Sequence, residues 1–266
     1  MNFAGWPLLS IVTFLPAAGA LWILASRAML REDNPGVDRG QMMLISSKEV
    51  ESASAKQYKE VIGKAQSEGK LNKDAAMTAR VQNIAKRLQP HTGVFRKDAP
   101  AWAWEVNVIT SEDLNAWCMA GGKIAFYTGI IQKLNMTDDE IAAVMGHEIA
   151  HALREHSREK VSRAYAQQMG ISVLAQLAGL GEGGAKALGM ATEVAIGLPN
   201  SRTMESESDA MGVEIAARAG YDPRAAISLW EKMSKAGGGR TPQFLSTHPA
   251  PENRMSELRK LMPKMM

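Results

Sequence analysis

TDDEIAAVMGHEIAHA, from Thr137 to Ala152, is the stretch around which the rest of this 266-residue chain is read. Thr137, followed three residues later by Glu140, has the form of a capping box: the hydroxyl can accept an early backbone N–H while the carboxylate reaches back to the helix start. The spacing predicts that a helix begins there. Ile141, Met145, Ile149 and Ala152 then fall on one stripe, so that side is expected to be buried and to fix the rotation of the helix. At about 100° per residue, His147 and His151 lie roughly 40° apart around the axis and one turn apart along it, so both imidazoles can reach one ion. Glu148 stands beside them, placed to take a proton from an attacking water without displacing a ligand.

Two histidines need a third partner. His156 fails the helical wheel, because a continuing helix carries it roughly 180° from His147; it is expected at a solvated position beside Arg154 and Arg158. The segment from Met204 to Gly212 offers a carboxylate instead. Glu205 and Asp209 are four apart and share a helix face, with Gly212 below them permitting close helix approach. Glu205 is assigned as the third metal ligand, and Asp209 as the acceptor for the outward N–H of a ligating histidine. Glu207 points about 200° from Glu205 on the same wheel and is expected to face solvent. Two histidines, a glutamate and an open position match a catalytic rather than a closed structural zinc site, and one Zn2+ per chain is expected.

The remaining sequence supplies the setting. From Phe3 to Ser26 no residue is charged, enough to cross a bilayer as a helix at about 1.5 Å per residue. Residues 1–30 therefore read as an N-terminal apolar helix, a membrane anchor or signal segment. Residues 31–46, with Asn34, Pro35, Gly36 and Gly40, read as a linker. Residues 47–266 form the globular domain. Helical spacing runs from Lys48 to Glu68 and from Lys73 to Leu88, strand and turn signals from Trp102 to Tyr127, and helices again beyond Thr137. The glycine-broken stretch from Gly170 to Gly197 reads as a movable cover between the histidine helix and the Glu205 helix. A small β-sheet enclosed by helices gives a mostly helical α+β class. The 31 basic and 28 acidic residues are dispersed without a single-sign block, so nucleic acid is not an expected partner. A single cysteine, Cys118, excludes an internal disulfide framework and is expected as a small buried hydrophobe.

With these motifs in view, the chain resembles the zinc metallopeptidase family, of gluzincin type, that includes HtpX, the CAAX prenyl proteases and the bacterial envelope proteases BepA and LoiP. The resemblance spans roughly Gly36 to Lys260. Beside the HExxH motif it rests on Asn115 to Gly122, which resembles the family's NA...PGG segment, on Ser201-Arg202 with Glu205 to Asp209, and on His248-Pro249 with Arg254. Ala120 stands where proline is usual and Ser208 where alanine is usual. The resemblance implies a zincin-like domain and a metalloendopeptidase with Glu148 as general base. It also implies a substrate cleft edged by Asn115, Ala116, Gly121 and Gly122, along which an extended peptide adds as a strand. Two further catalytic candidates come from it. His248 is expected to be a fourth metal ligand or a donor to a transition-state oxyanion, and Arg254 to clamp an acidic neighbour or the substrate.

Unfolded or misfolded envelope proteins are the expected substrates, in protein quality control, with the membrane engaged through the N-terminal segment. The rival expectation is a membrane-tethered chaperone or assembly factor with a latent zinc site. Arg27 and Arg31 after the apolar run favour a cytoplasmic domain by the positive-inside rule. Relatives of this form work in the periplasm, and the bacterial cell envelope, with a periplasmic catalytic domain, is the expected location.

Overall fold

Thr137 caps the central helix as its sequence requires: its hydroxyl accepts from Glu140 N, and the Glu140 carboxylate accepts from Thr137 N at 2.9 Å. The computed structural model describes residues 29–30, 39–177, 199–236, 243–249 and 253–265. Over them the helices are α1 (Ser47–Ser67), α2 (Ala75–Leu88), α3 (Thr128–Lys133), α4 (Asp138–Leu153), α5 (His156–Leu177), α6 (Arg202–Arg218), α7 (Ala225–Ala236), α8 (Gln243–Thr247) and α9 (Arg254–Met265). The strands are β1 (Met29–Leu30), β2 (Gln41–Met42), β3 (Glu105–Ile109), β4 (Ala116–Met119) and β5 (Lys123–Tyr127). This is the expected α+β class, mostly helical with a small sheet. The apolar segment before Met29 and the part of the expected cover from 178 to 197 lie outside the described residues. Among those described, no helix is long and apolar enough to cross a membrane.

The sheet has the order β3-β5-β4. β3 pairs with β5 in parallel, Glu105 opposite Lys123 through to Ile109 opposite Tyr127, and β4 returns antiparallel against the other side of β5. β4 is thus an edge strand, with β5 on one side and a cleft on the other. Gly121 and Gly122, both with φ of +77°, make the turn between β4 and β5. At Gly122 a Cβ would lie 2.5 Å from the Trp104 indole, so both the backbone conformation and the space require glycine.

α4 departs from its expected half-buried form, since every residue from Glu140 to Leu153 is buried. The reason is composition. Ala142, Ala143, Gly146 and Ala150 fill the positions outside the large apolar stripe, so neighbours approach from those sides too. α6 comes closest: a Cβ on Gly146 would lie 2.5 Å from Gly212 O, and one on Gly212 would lie 2.5 Å from His147 N. Backbone therefore packs on backbone where the two site-bearing helices cross. The stretch expected as a linker is packed on the domain over its described residues, where Gln41 is buried and donates to Arg154 O at 2.8 Å.

Candidate metal centre

His147 and His151 project from one face of α4, and the Gly146–Gly212 contact brings α6 near enough for Glu205 to meet them. His147 Nε2 lies 3.4 Å from Glu205 Oε2, His151 Nε2 lies 3.3 Å from Glu205 Oε1, and the two Nε2 atoms are 3.1 Å apart. His248, on the turn after α8, completes the group: one ligand atom from each of His147, His151, Glu205 and His248 falls within 4.8 Å of the others, and all four residues are buried. A tetrahedral ion with bonds of about 2.0–2.2 Å spaces its ligands about 3.3–3.6 Å apart, so the three assigned ligands fit a single divalent cation.

Electrostatics agree with that fit. Burial alone would lower His147, but the carboxylates of Asp209 and Glu205 outweigh it and hold the imidazole up at about 9. Burial alone would raise Glu205, yet hydrogen bonds from His147 and His151 hold it far below the usual carboxylate range. Glu205 thus stays anionic where the rings converge, a charge that a bound cation would balance. His248 is lowered to about 3, chiefly by burial. Its Nδ1 faces Phe244 O at 3.1 Å, so a neutral ring that donates there turns its Nε2 lone pair toward the other ligands.

Around the ligands, most polar groups have a partner that fixes them. Asp209 Oδ1 lies 3.0 Å from His147 Nδ1, within reach to accept its N–H. Arg254 is buried, donates to Glu205 Oε2 at 3.2 Å and to Asp209 Oδ1 at 2.5 Å, and lies over the Trp230 ring at 3.4 Å. Of the two roles left open for Arg254, its contacts fit the clamp on acidic neighbours: it holds the assigned ligand Glu205 and the carboxylate of Asp209, and it is not among the residues that line the cleft. Asn200, which no sequence signal marked, donates to Glu205 Oε1 at 2.8 Å. It immediately precedes Ser201, the N-cap of α6, and that position next to the cap was its only available sign.

Glu148 turns the other way, toward the cleft. Burial pushes its carboxyl up to about 8. Its Oε1 lies 3.2 Å from His248 Nε2, but among the described residues no donor is aligned on it. An acceptor left free at the cleft wall, with its proton affinity near neutrality, is what a general base requires. The cleft has a volume of about 650 Å³; Asn115, Ala116 and the rest of β4 form one wall, α1 and α5 the others, and Glu148, His151 and His248 its inner end. Gly121 and Gly122 are not part of that lining; they serve the cleft only by turning the chain from β4 into β5. Cys118 is buried, and burial raises its thiol well above the ordinary value, so it packs as the hydrophobe it was expected to be.

Two expectations are overturned. His156 is 1% exposed rather than solvated, with Nδ1 2.8 Å from His151 Nδ1 and Nε2 2.9 Å from Glu207 Oε2. The helical wheel misplaced it because α4 ends at Leu153, and the chain reverses through Glu155, at φ of +51°, before α5 begins. Glu207 is 5% exposed rather than facing solvent. The wheel was right that it points away from Glu205, but that side of α6 is covered by α5 and by Arg39, which ion-pairs with it.

Comparison with known proteins fits this geometry. The family profile described as Peptidase family M48 matches residues 75–262. Metalloendopeptidase OMA1, mitochondrial, of Bos taurus is 28% identical over 248 residues, 88% of this chain and 46% of that protein. Metalloprotease YcaL of Escherichia coli is 29% identical over 153 residues, covering 57% of this chain and 59% of its own length. The E. coli beta-barrel assembly-enhancing protease is 25% identical over 202 residues, 71% of this chain and 39% of that protein. The chain thus spans less than two thirds of each relative.

Proposed function

The chain belongs to peptidase family M48, and from that premise we propose that it is a zinc-dependent endopeptidase cutting internal bonds of unfolded or damaged proteins. The observation that carries the proposal is the convergence of His147, His151 and Glu205 at the inner end of a cleft, with Glu148 beside them and its Oε1 buried without a hydrogen-bond partner among the described residues. Those three residues would hold the zinc ion, which when bound would supply Lewis-acid chemistry for the scissile carbonyl and the attacking water at neutral pH.

The chain's own residues do the rest. Glu148 takes the proton of the attacking water and delivers it to the departing amine nitrogen, a two-way transfer that suits a carboxyl held near neutrality. Asp209 and Arg254 hold His147 and Glu205 in place through these steps. The free side of β4 offers main-chain N–H and C=O groups to an extended substrate, which then reads backbone more than side chains. Binding of that kind suits unfolded segments, since a folded domain seldom leaves a strand free to add.

The test is cleavage of casein by the purified chain. Activity is expected to disappear when a chelator removes the metal and to return with one equivalent of Zn2+; cleavage that persists in metal-free protein would sink the proposal.

His248 adds a layer of control in this reading. With its ring stacked on Phe244 at 4.3 Å and a nitrogen near His147, His151 and Glu205, it would offer the metal a fourth ligand atom, which a substrate would have to displace. His248→Ala is then expected to raise basal casein cleavage about tenfold, and a variant slower than the parent would point to an oxyanion donor instead. The apolar N-terminal segment and the assembly-enhancing relative support work in the bacterial envelope, with the domain in the periplasm. They equally support the rival role of a tethered chaperone or assembly factor. Protease accessibility in spheroplasts tests the location.

A further inference from the structure

Behind His151 lies a second layer of buried polar groups that the reaction as described does not use. His151 Nδ1 meets His156 Nδ1 at 2.8 Å, and His156 Nε2 meets Glu207 Oε2 at 2.9 Å. The roles along this chain are determined from its two ends. If His151 keeps its Nε2 lone pair for the metal, its proton is on Nδ1, and His156 Nδ1 must accept it. His156 then carries its own proton on Nε2 and donates to the Glu207 carboxylate. Each ring nitrogen has one role, and no other neutral arrangement satisfies all of them.

The outer end is as well held as the inner. Arg39 ion-pairs with Glu207 and places its other two nitrogens on the Glu159 carboxylate, each at 2.8 Å. Gln41 donates to Glu159 Oε2 at 2.9 Å. Both Arg39 and Gln41 belong to the strap that precedes α1. The reversal that brings His156 back beside His151 is also pinned. Glu155, in the left-handed region that disfavours its side chain, accepts from Ser47 Oγ at 2.5 Å and from Arg158 Nη1 at 2.8 Å.

From this geometry we infer that His156 is a positioning residue for the metal ligand His151, holding its tautomer and ring orientation through a relay that Glu207 and Arg39 anchor. The inference rests on the reading of His147, His151 and Glu205 as metal ligands. It assigns His151 a partner of a different kind from that of His147, whose Nδ1 goes directly to a carboxylate. The intervening imidazole extends the reach from His151 to α6 and the strap, so the orientation of a ligand depends on how the strap is seated.

The test uses the full chain and two readouts besides activity: Zn2+ affinity by chelator competition, and the visible absorption of the Co2+-loaded protein, which reports ligand geometry. His156→Leu is expected to weaken Zn2+ binding about 10–100-fold and to change the Co2+ spectrum, as loss of an outer partner of a ligating histidine does. His156→Gln, which can still accept from His151 and donate to Glu207, is expected to recover most of both. Unchanged affinity and spectrum in His156→Leu would overturn the inference, whatever happens to its thermal stability. Should His156→Leu fail to fold, Glu207→Leu, which removes the acceptor for His156 Nε2, decides by the same readouts: a weakened site supports the relay and an unchanged one overturns it. Wild-type protein that takes up neither ion would overturn the ligand reading, and the relay with it. Wild-type uptake with unaffected variants overturns the relay alone.

Discussion

Glu148→Gln is expected to keep one metal ion per chain and to lower casein cleavage by about 10²–10⁴-fold, the range that a positioned acid–base group contributes. The substitution preserves shape and removes only proton chemistry. Metal uptake survives because Glu148 is not one of the four residues whose ligand atoms converge. Stability survives too, because burial holds the carboxyl up at about 8, so near neutrality the site already accommodates an uncharged group in that place. Measured metal content and cleavage rate separate the outcomes: undiminished cleavage would remove Glu148 from the mechanism. A variant that fails to cleave yet supports maturation of client proteins as well as wild type would favour the assembly-factor role over proteolysis.

Gly212→Ala is expected to destabilise the domain by about 3 kcal/mol or more, the upper end of overpacking costs and a large part of the about 5–15 kcal/mol typical of a folded protein. The added Cβ would lie 2.5 Å from His147 N, 2.7 Å from Gly146 C and 2.8 Å from His147 Cα. All three are backbone atoms, so no side chain can rotate away, and α4 and α6 must separate. That separation pulls His147 from Glu205 and Asp209, so metal affinity should fall together with stability. Gly63 in α1 is the control, since a Cβ there meets nothing within 4 Å. Gly63→Ala should instead stabilise by roughly 0.5–1 kcal/mol, as removal of a mid-helix glycine does. Chemical denaturation of the two variants measures both effects. A Gly212→Ala protein as stable as wild type would show that the backbone contact does not set the spacing of the site.

The legible part of the site shares one property: each feature depends on residues a few positions apart within one helix. The capping box at Thr137 and Glu140, the His147–His151 pair and the Glu205–Asp209 pair are all of this kind, and the structure places them as their spacing requires. The failures share the opposite property. Periodicity extended past Leu153 misplaces His156, because a left-handed residue at Glu155 reverses the chain there. A helical wheel sends Glu207 to solvent because it reports direction and not what stands there. Arg39, Asn200, Trp230 and Phe244 reach the site from other elements, and no local pattern announces such an approach.

By itself the sequence determined that the chain carries a helix able to hold one ion with two histidines, a second helix that offers Glu205 with Asp209 behind it, and a glycine at their meeting point. These follow from i, i+3 and i+4 geometry, which backbone hydrogen bonding makes the same in every helix. Only the tertiary structure decided that α4 is buried all round, that Arg254 meets the carboxylates of Glu205 and Asp209, that His248 stands beside His147, His151 and Glu205 and that His156 lies between His151 and Glu207. Those outcomes depend on which surfaces meet, and that is settled by backbone contact at Gly146 and Gly212 and by the reversal at Glu155, between segments whose separation along the chain carries no periodic signal.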